Sequence, residues 1–175
     1  MLSLEIREFL LSQMDGLAQS EFSERHPEVM ETMSDPATRT AIISWLGSPE
    51  AREPAESDLV TAALFYLARP EGEEEAKVFR TFFDHTDGRV RQGAFRAVVA
   101  ALFAEDEKEQ LTSLLRTMLL DEADTVRSSG AGFIARTSVL DTLRPFLLEW
   151  RERAEERDWV ESRSFERVTR LLEEG

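Results

Sequence analysis

The stretch FFDHTDGRVRQGAFRAVVAAL, residues 82–102, returns in altered form as LLDEADTVRSSGAGFIARTSVL, residues 119–140. Both copies run from bulky apolar residues through a short acidic turn into Val-Arg, and then into small and apolar residues at helical spacing. Aligned on Val90-Arg91 and Val126-Arg127, they lie 36 residues apart, the length of one helical hairpin. A repeat of that period constrains the fold strongly. One such unit cannot bury its own apolar face and must stack on its neighbours.

Within each copy an acidic residue, Asp87 or Asp124, is placed to cap the coming helix, and Val-Arg falls in its first turn. Gly93, Ala94 and Ala97 follow in one copy, and Gly130, Ala131 and Gly132 in the other. Small side chains let neighbouring helices approach closely, while Val90, Val98 and Leu102, like Val126, Phe133 and Ile134, supply the apolar fill. Between the copies, EDEKEQLTSLLRTMLL reads as a helix with Leu111, Leu114, Leu115 and Met118 on one stripe. The repeated unit is helix, turn, helix.

Helical periodicity runs through nearly all of the remaining chain and no segment alternates strictly, so the fold class is all-α. Residues 3–33 read as two helices around positions 16–20, with Leu2, Ile6, Phe9, Leu10 and Leu17 on one face and His26-Pro27 near the start of the second. Asp35 is an N-cap followed by Pro36 in the first turn of a helix that ends near Gly47. Residues 47–56 form a loop with room for a short helical turn. The next helix turns Leu59, Ala62, Ala63, Tyr66 and Leu67 inward and breaks at Pro70 and Gly72. An amphipathic helix then carries Val78, Phe79, Phe82 and Phe83, with Glu73 to Glu75 on its exposed first turn. Residues 138–174 read as a last hairpin, with Pro145 starting or kinking its first helix and a break near Arg157-Asp158.

The Asp-x-x-Val-Arg-x-x-Ala pattern of residues 87–94, echoed at 124–130, resembles HEAT repeats and their bacterial HEAT-like relatives. The resemblance implies a short α-solenoid of stacked antiparallel hairpins, about five in number. It further implies that Asp87 and Asp124 cap second helices, and that Arg91 and Arg127 pair with acidic residues of adjacent repeats in an internal polar ladder. The second copy is one residue shorter between Asp and Val, and Gly130 stands where the pattern has Ala. At 175 residues the chain suits a single helical repeat domain. Its clearest repeats span 73–136, with the N-terminal helices 3–46 and the C-terminal hairpin 138–174 as caps.

Composition bounds the function. There is no cysteine, which excludes disulfides, thiolate metal sites and cysteine nucleophiles. Acidic residues outnumber basic ones 35 to 21, and a net charge of -14 repels nucleic acid. Lysine occurs twice and asparagine never, which fits either the codon usage of a GC-rich genome or adaptation to salt or heat. The opening MLSLEIREFLLSQMDGL is broken by Glu5, Arg7 and Glu8, so it reads as an amphipathic helix rather than a leader. No stretch is apolar enough for a membrane span, and a cytoplasmic location is expected.

Candidate chemistry is sparse. His26 and His85 are the only histidines and fall in different elements; a metal would need one of them with carboxylates such as Asp84 and Asp87. No nucleophile motif frames any serine. Glu155 and Glu156 point to different sides of a solvated helix. SSGAGFIA has no preceding strand and no following lysine, which points to close helix packing rather than a phosphate loop. No catalytic, cofactor or metal residue is therefore assigned. Trp45, Trp150 and Trp159 fall at core or capping positions. With Arg91 and Arg127 used in the ladder, Arg89, Arg96 and Arg136 are the candidate partner-binding residues. The expected function is a non-catalytic adaptor or scaffold that binds a protein along the repeat surface. Two alternatives are an acidic inhibitor or immunity-type protein covering a basic active site, and, by the family resemblance, a HEAT-like lyase or cofactor handler.

Overall fold

A computed structural model describes residues 1–16, 19–33 and 35–174. Among these residues the chain forms eleven α-helices and two short 3-10 turns, with no strand, in agreement with the all-α expectation. No helix among them is long and apolar enough to cross a membrane. Two compact units divide the chain, Met1–Ala97 and Val98–Gly175.

The first unit opens with α1 (Leu4–Met14), α2 (Gln19–Arg25) and α3 (Pro27–Met33). Ser3 caps α1 by accepting the Ile6 N–H, and Leu2, Ile6, Phe9 and Leu10 are buried as the periodicity requires. Leu17, expected on the same face, lies outside the described residues. Where two helices were expected there are three. Pro27 has no N–H to donate and drives His26 out of helical conformation, so the second expected helix is cut there. Helix α4 (Pro36–Leu46) begins as predicted, with the Asp35 carboxylate accepting the Ala37 N–H at 3.2 Å and Gly47 at its end. The two 3-10 turns, Pro49–Arg52 and Pro54–Glu56, occupy the predicted loop.

Helix α5 (Ser57–Leu67) buries Leu59, Ala62, Ala63 and Leu67 and half-buries Tyr66. It stops where Ala68 turns to positive φ ahead of Pro70. Arg39 of α4 clasps this turn, donating to the Arg69 carbonyl at 2.9 Å and to Glu75 at 2.6 Å, while Glu75 also accepts the Glu71 N–H at 2.7 Å. Glu73 and Glu74 are exposed as expected, but Glu75 is drawn inward by this clasp. Helix α6 (Glu73–Arg80) is shorter than its apolar pattern suggests. Phe82 and Phe83 sit in the following turn, Phe82 fully buried and Phe83 stacked on Phe95 at 4.1 Å.

Helix α7 spans Gly88–Ala104. Asp87 caps it by accepting the Arg89 N–H at 2.8 Å. Helices α5 and α7 run parallel in register: Asp58 meets Arg89, Phe65 meets Arg96, and a Cβ at Gly93 would lie 3.2 Å from that of Leu64.

The second unit holds α8 (Lys108–Leu119), α9 (Asp124–Ile134), α10 (Leu140–Glu156) and α11 (Arg163–Glu174). Helix α8 packs on α9 and α10 on α11, while α8 also contacts α10 and α9 contacts α11. The alternate helices are parallel. Arg116 lies over Phe146 and the Trp150 indole donates to the Leu119 carbonyl at 2.6 Å, and Asp124 meets Ser164 as Ser128 meets Arg167. Of the expected stripe, Leu111, Leu115 and Met118 are buried, while Leu114 is only half-buried. Pro145 sits inside α10, and the predicted break falls at Asp158, in a left-handed conformation.

Gly130 shows why small residues follow Val-Arg. A Cβ there would lie 3.0 Å from the Met118 Cβ, an atom fixed to its backbone. Gly130→Ala is therefore expected to cost about 1 kcal/mol net, overpacking outweighing the gain in helix propensity. A thermal melt should show the midpoint falling by about 2–4 °C.

Candidate functional site

The doubled motif reappears as doubled geometry. Arg91 Nη1 donates to the carbonyls of His85 at 2.6 Å and Thr86 at 3.2 Å. Arg127 Nη1 donates to those of Asp121 at 2.8 Å and Glu122 at 2.6 Å, the same positions relative to its own helix. Each guanidinium thus ties a helix start to the turn before it, satisfying carbonyls the turn would leave open.

The copies differ where the second is one residue shorter between Asp and Val. Ala123 occupies the cap position of α9 and makes no side-chain bond, so Asp124 does not cap its own helix as expected. Standing one place later, its carboxylate accepts the Ser164 N–H at 3.1 Å instead, at the start of α11. Arg127 is 3 % exposed and also reaches this point, with Nε donating to Ser164 Oγ at 3.1 Å and Nη2 lying 3.5 Å from Asp124. Its guanidinium lies 3.9 Å over the Trp159 ring. Burial pushes the Arg127 pKa down, opposed by Asp124 and Asp121. For Asp124, burial raises the pKa, but the Ser164 hydrogen bonds and the Arg127 charge outweigh it and hold the carboxyl below its ordinary value. The carboxylate partner of Arg127 in this network is on its own helix, and its link to the next hairpin runs through Ser164.

His85 is part of a turn: its Nδ1 accepts the Asp87 N–H at 3.1 Å. Among the described residues no group of three or more His, Asp or Glu is placed to hold a metal ion.

The three arginines singled out by sequence have different surroundings. Arg89 and Arg96 share α7, two turns apart. Arg89 is held between Asp87 at 2.8 Å and Asp58 at 2.9 Å, and the Asp87 hydrogen bond leads the effects that raise its pKa. The Arg96 guanidinium lies 4.7 Å over the Phe65 ring. Both side chains are thereby engaged with α5.

Arg136, just past the end of α9, is exposed and faces a cleft of about 230 Å³ in the second unit. Ala131, Gly132 and Ala135 of the α9 side line it together with Arg167, Arg170 and Leu171 of α11. Arg170 pairs with Glu166 at 3.0 Å, and Arg167 donates to the Ser128 carbonyl at 2.8 Å. Among the described residues no carboxylate lies within ion-pairing distance of Arg136 or Arg167. Arg167 and Arg170 were missed in the sequence because the charges of the last helix read as a solvated capping face. Their spacing of three in FERVTRLL, which sets both on one side of a helix, was the available signal. Comparison of the chain with models of known protein families, with curated proteins and with solved structures finds no match.

Proposed function

We propose that the chain is a HEAT-like helical repeat protein, a short solenoid that binds a protein partner along its repeat surface and performs no catalysis of its own. The repeated Arg91 and Arg127 geometry and the parallel, registered alternate helices support the architectural part. The observation that carries the binding part is the cleft of Arg136, Arg167 and Arg170, a concentration of positive charge in a chain of net charge -14. Arg136 and Arg167, without carboxylate partners among the described residues and set around a small-residue floor, are suited to an acidic group on another molecule. Arg89 and Arg96, engaged with α5, act in this reading as internal fastenings.

Affinity capture from the native lysate at low and moderate salt, with wild type and Arg136→Glu side by side, tests the proposal. A stoichiometric protein partner lost in the variant is the expected result. A partner retained equally by both forms removes the cleft from the interface, and a basic enzyme released by salt from both favours the inhibitor reading.

A further inference from the structure

We propose that the α9–α11 cleft is a site for a phosphate monoester dianion, presented by a phosphorylated serine or threonine of the protein partner. The inference rests on the binding-module reading above and names the chemistry its surface recognises.

Charge matching is the first argument. Arg170 already has Glu166, whereas Arg136 and Arg167 carry two positive charges with no carboxylate among the described residues in pairing distance. A phosphorylated side chain carries about -1.5 to -2 at neutral pH, close to that deficit, and a carboxylate only half of it. Planar guanidinium forks also match phosphate oxygens two at a time.

Size and position agree. At about 230 Å³ the cleft falls below the roughly 300 Å³ at which sites for whole drug-sized ligands begin, so it admits a group rather than a nucleotide. Its floor carries no long side chain, and a Cβ at Gly132 would already lie 3.0 Å from Arg167 Nη1. A net charge of -14 opposes a continuous phosphate backbone but leaves a single phosphate on a neutral or basic segment acceptable. Arg136 follows the last turn of α9, where a cation also favours the carbonyl end of the helix. One cation meets that need; Arg167 and Arg170 come from the other helix and are not explained by it.

The test is an NMR titration at constant ionic strength that reads the arginine Nε–Hε signals of Arg136 and Arg167. The probes are inorganic phosphate, N-acetyl phosphoserine amide and, for comparison, acetate and N-acetyl glutamate amide. Saturable shifts of both signals with the two phosphates, at least about tenfold tighter than with the carboxylates, are expected. Arg136→Gln and Ala135→Glu, both at exposed positions, should each weaken phosphate binding about tenfold while melting like wild type. Shifts that do not saturate, equal affinity for carboxylates, or wild-type phosphate affinity in both variants would overturn the assignment. Such a result with normal melting leaves the repeat module standing, since that reading depends on partner capture and not on phosphate.

Discussion

Val90→Asp is expected to abolish the cooperative thermal unfolding of the chain. Val90 is fully buried in the first turn of α7, shortly after the Asp87 cap, where an introduced carboxylate is cut off from water. An uncompensated buried charge costs more than about 4 kcal/mol, comparable to the whole stability of a domain near the low end of the usual 5–15 kcal/mol. Val126, equally buried at the repeat-related position, should respond in the same way to Val126→Asp. Arg89→Gln, one residue from Val90 but exposed, removes two solvent-screened ion pairs and should cost no more than about 1 kcal/mol. Circular dichroism melts decide the matter: a sigmoidal Val90→Asp transition within a few degrees of wild type would contradict the role given to the Val-Arg turn.

Arg127→Ala should be the second most damaging change, at about 3 kcal/mol and a fall in melting midpoint of about 6–12 °C. The substitution strips hydrogen bonds from two carbonyls and from Ser164, and removes the cation stacked on Trp159. It also leaves Asp124 without its charge partner. Arg91→Ala, which removes the same pair of carbonyl bonds from a half-buried site, should cost less. Chemical denaturation of the two variants gives the comparison; equal small losses would mean that Arg127 is not the fastening between α9 and α11. The Asp124 carboxyl titrates below its unfolded value, so its contribution is present above about pH 3.9 and is lost as pH falls through the lower folded value. The gap between wild type and Asp124→Asn should therefore narrow below about pH 4.

The sequence made the helices legible because their signals are local. Asp35 with Pro36, the apolar stripe of α8 and the break at Asp158 each depend on a few neighbouring residues, and each stands where expected. The period of 36 residues likewise reappears in the carbonyl bonds of Arg91 and Arg127. What failed to show is tertiary. With one residue fewer between Asp and Val than in the first copy, Asp124 stands off the cap position, and only the fold reveals that Ser164 receives it, 40 residues away. Glu75 looked solvated until Arg39, 36 residues earlier, drew it in. The cleft is the clearest case: sequence groups Arg136 with Arg89 and Arg96 as candidate binding residues, yet its charged companions at the cleft are Arg167 and Arg170. A sequence shows which side of a helix a residue occupies, but not which neighbouring helix will face it.

Photo-crosslinking from position 163, exposed on α11 one turn before Arg167 and outside the cleft floor, tests the central claim most directly. With the cysteine-free chain carrying the crosslinker in place of Arg163, one dominant protein adduct that disappears on adding Arg136→Glu is the predicted result. The same adduct formed in undiminished yield by the Arg136→Glu protein, or no adduct at 163 while a crosslinker on another helix captures the partner, would contradict it.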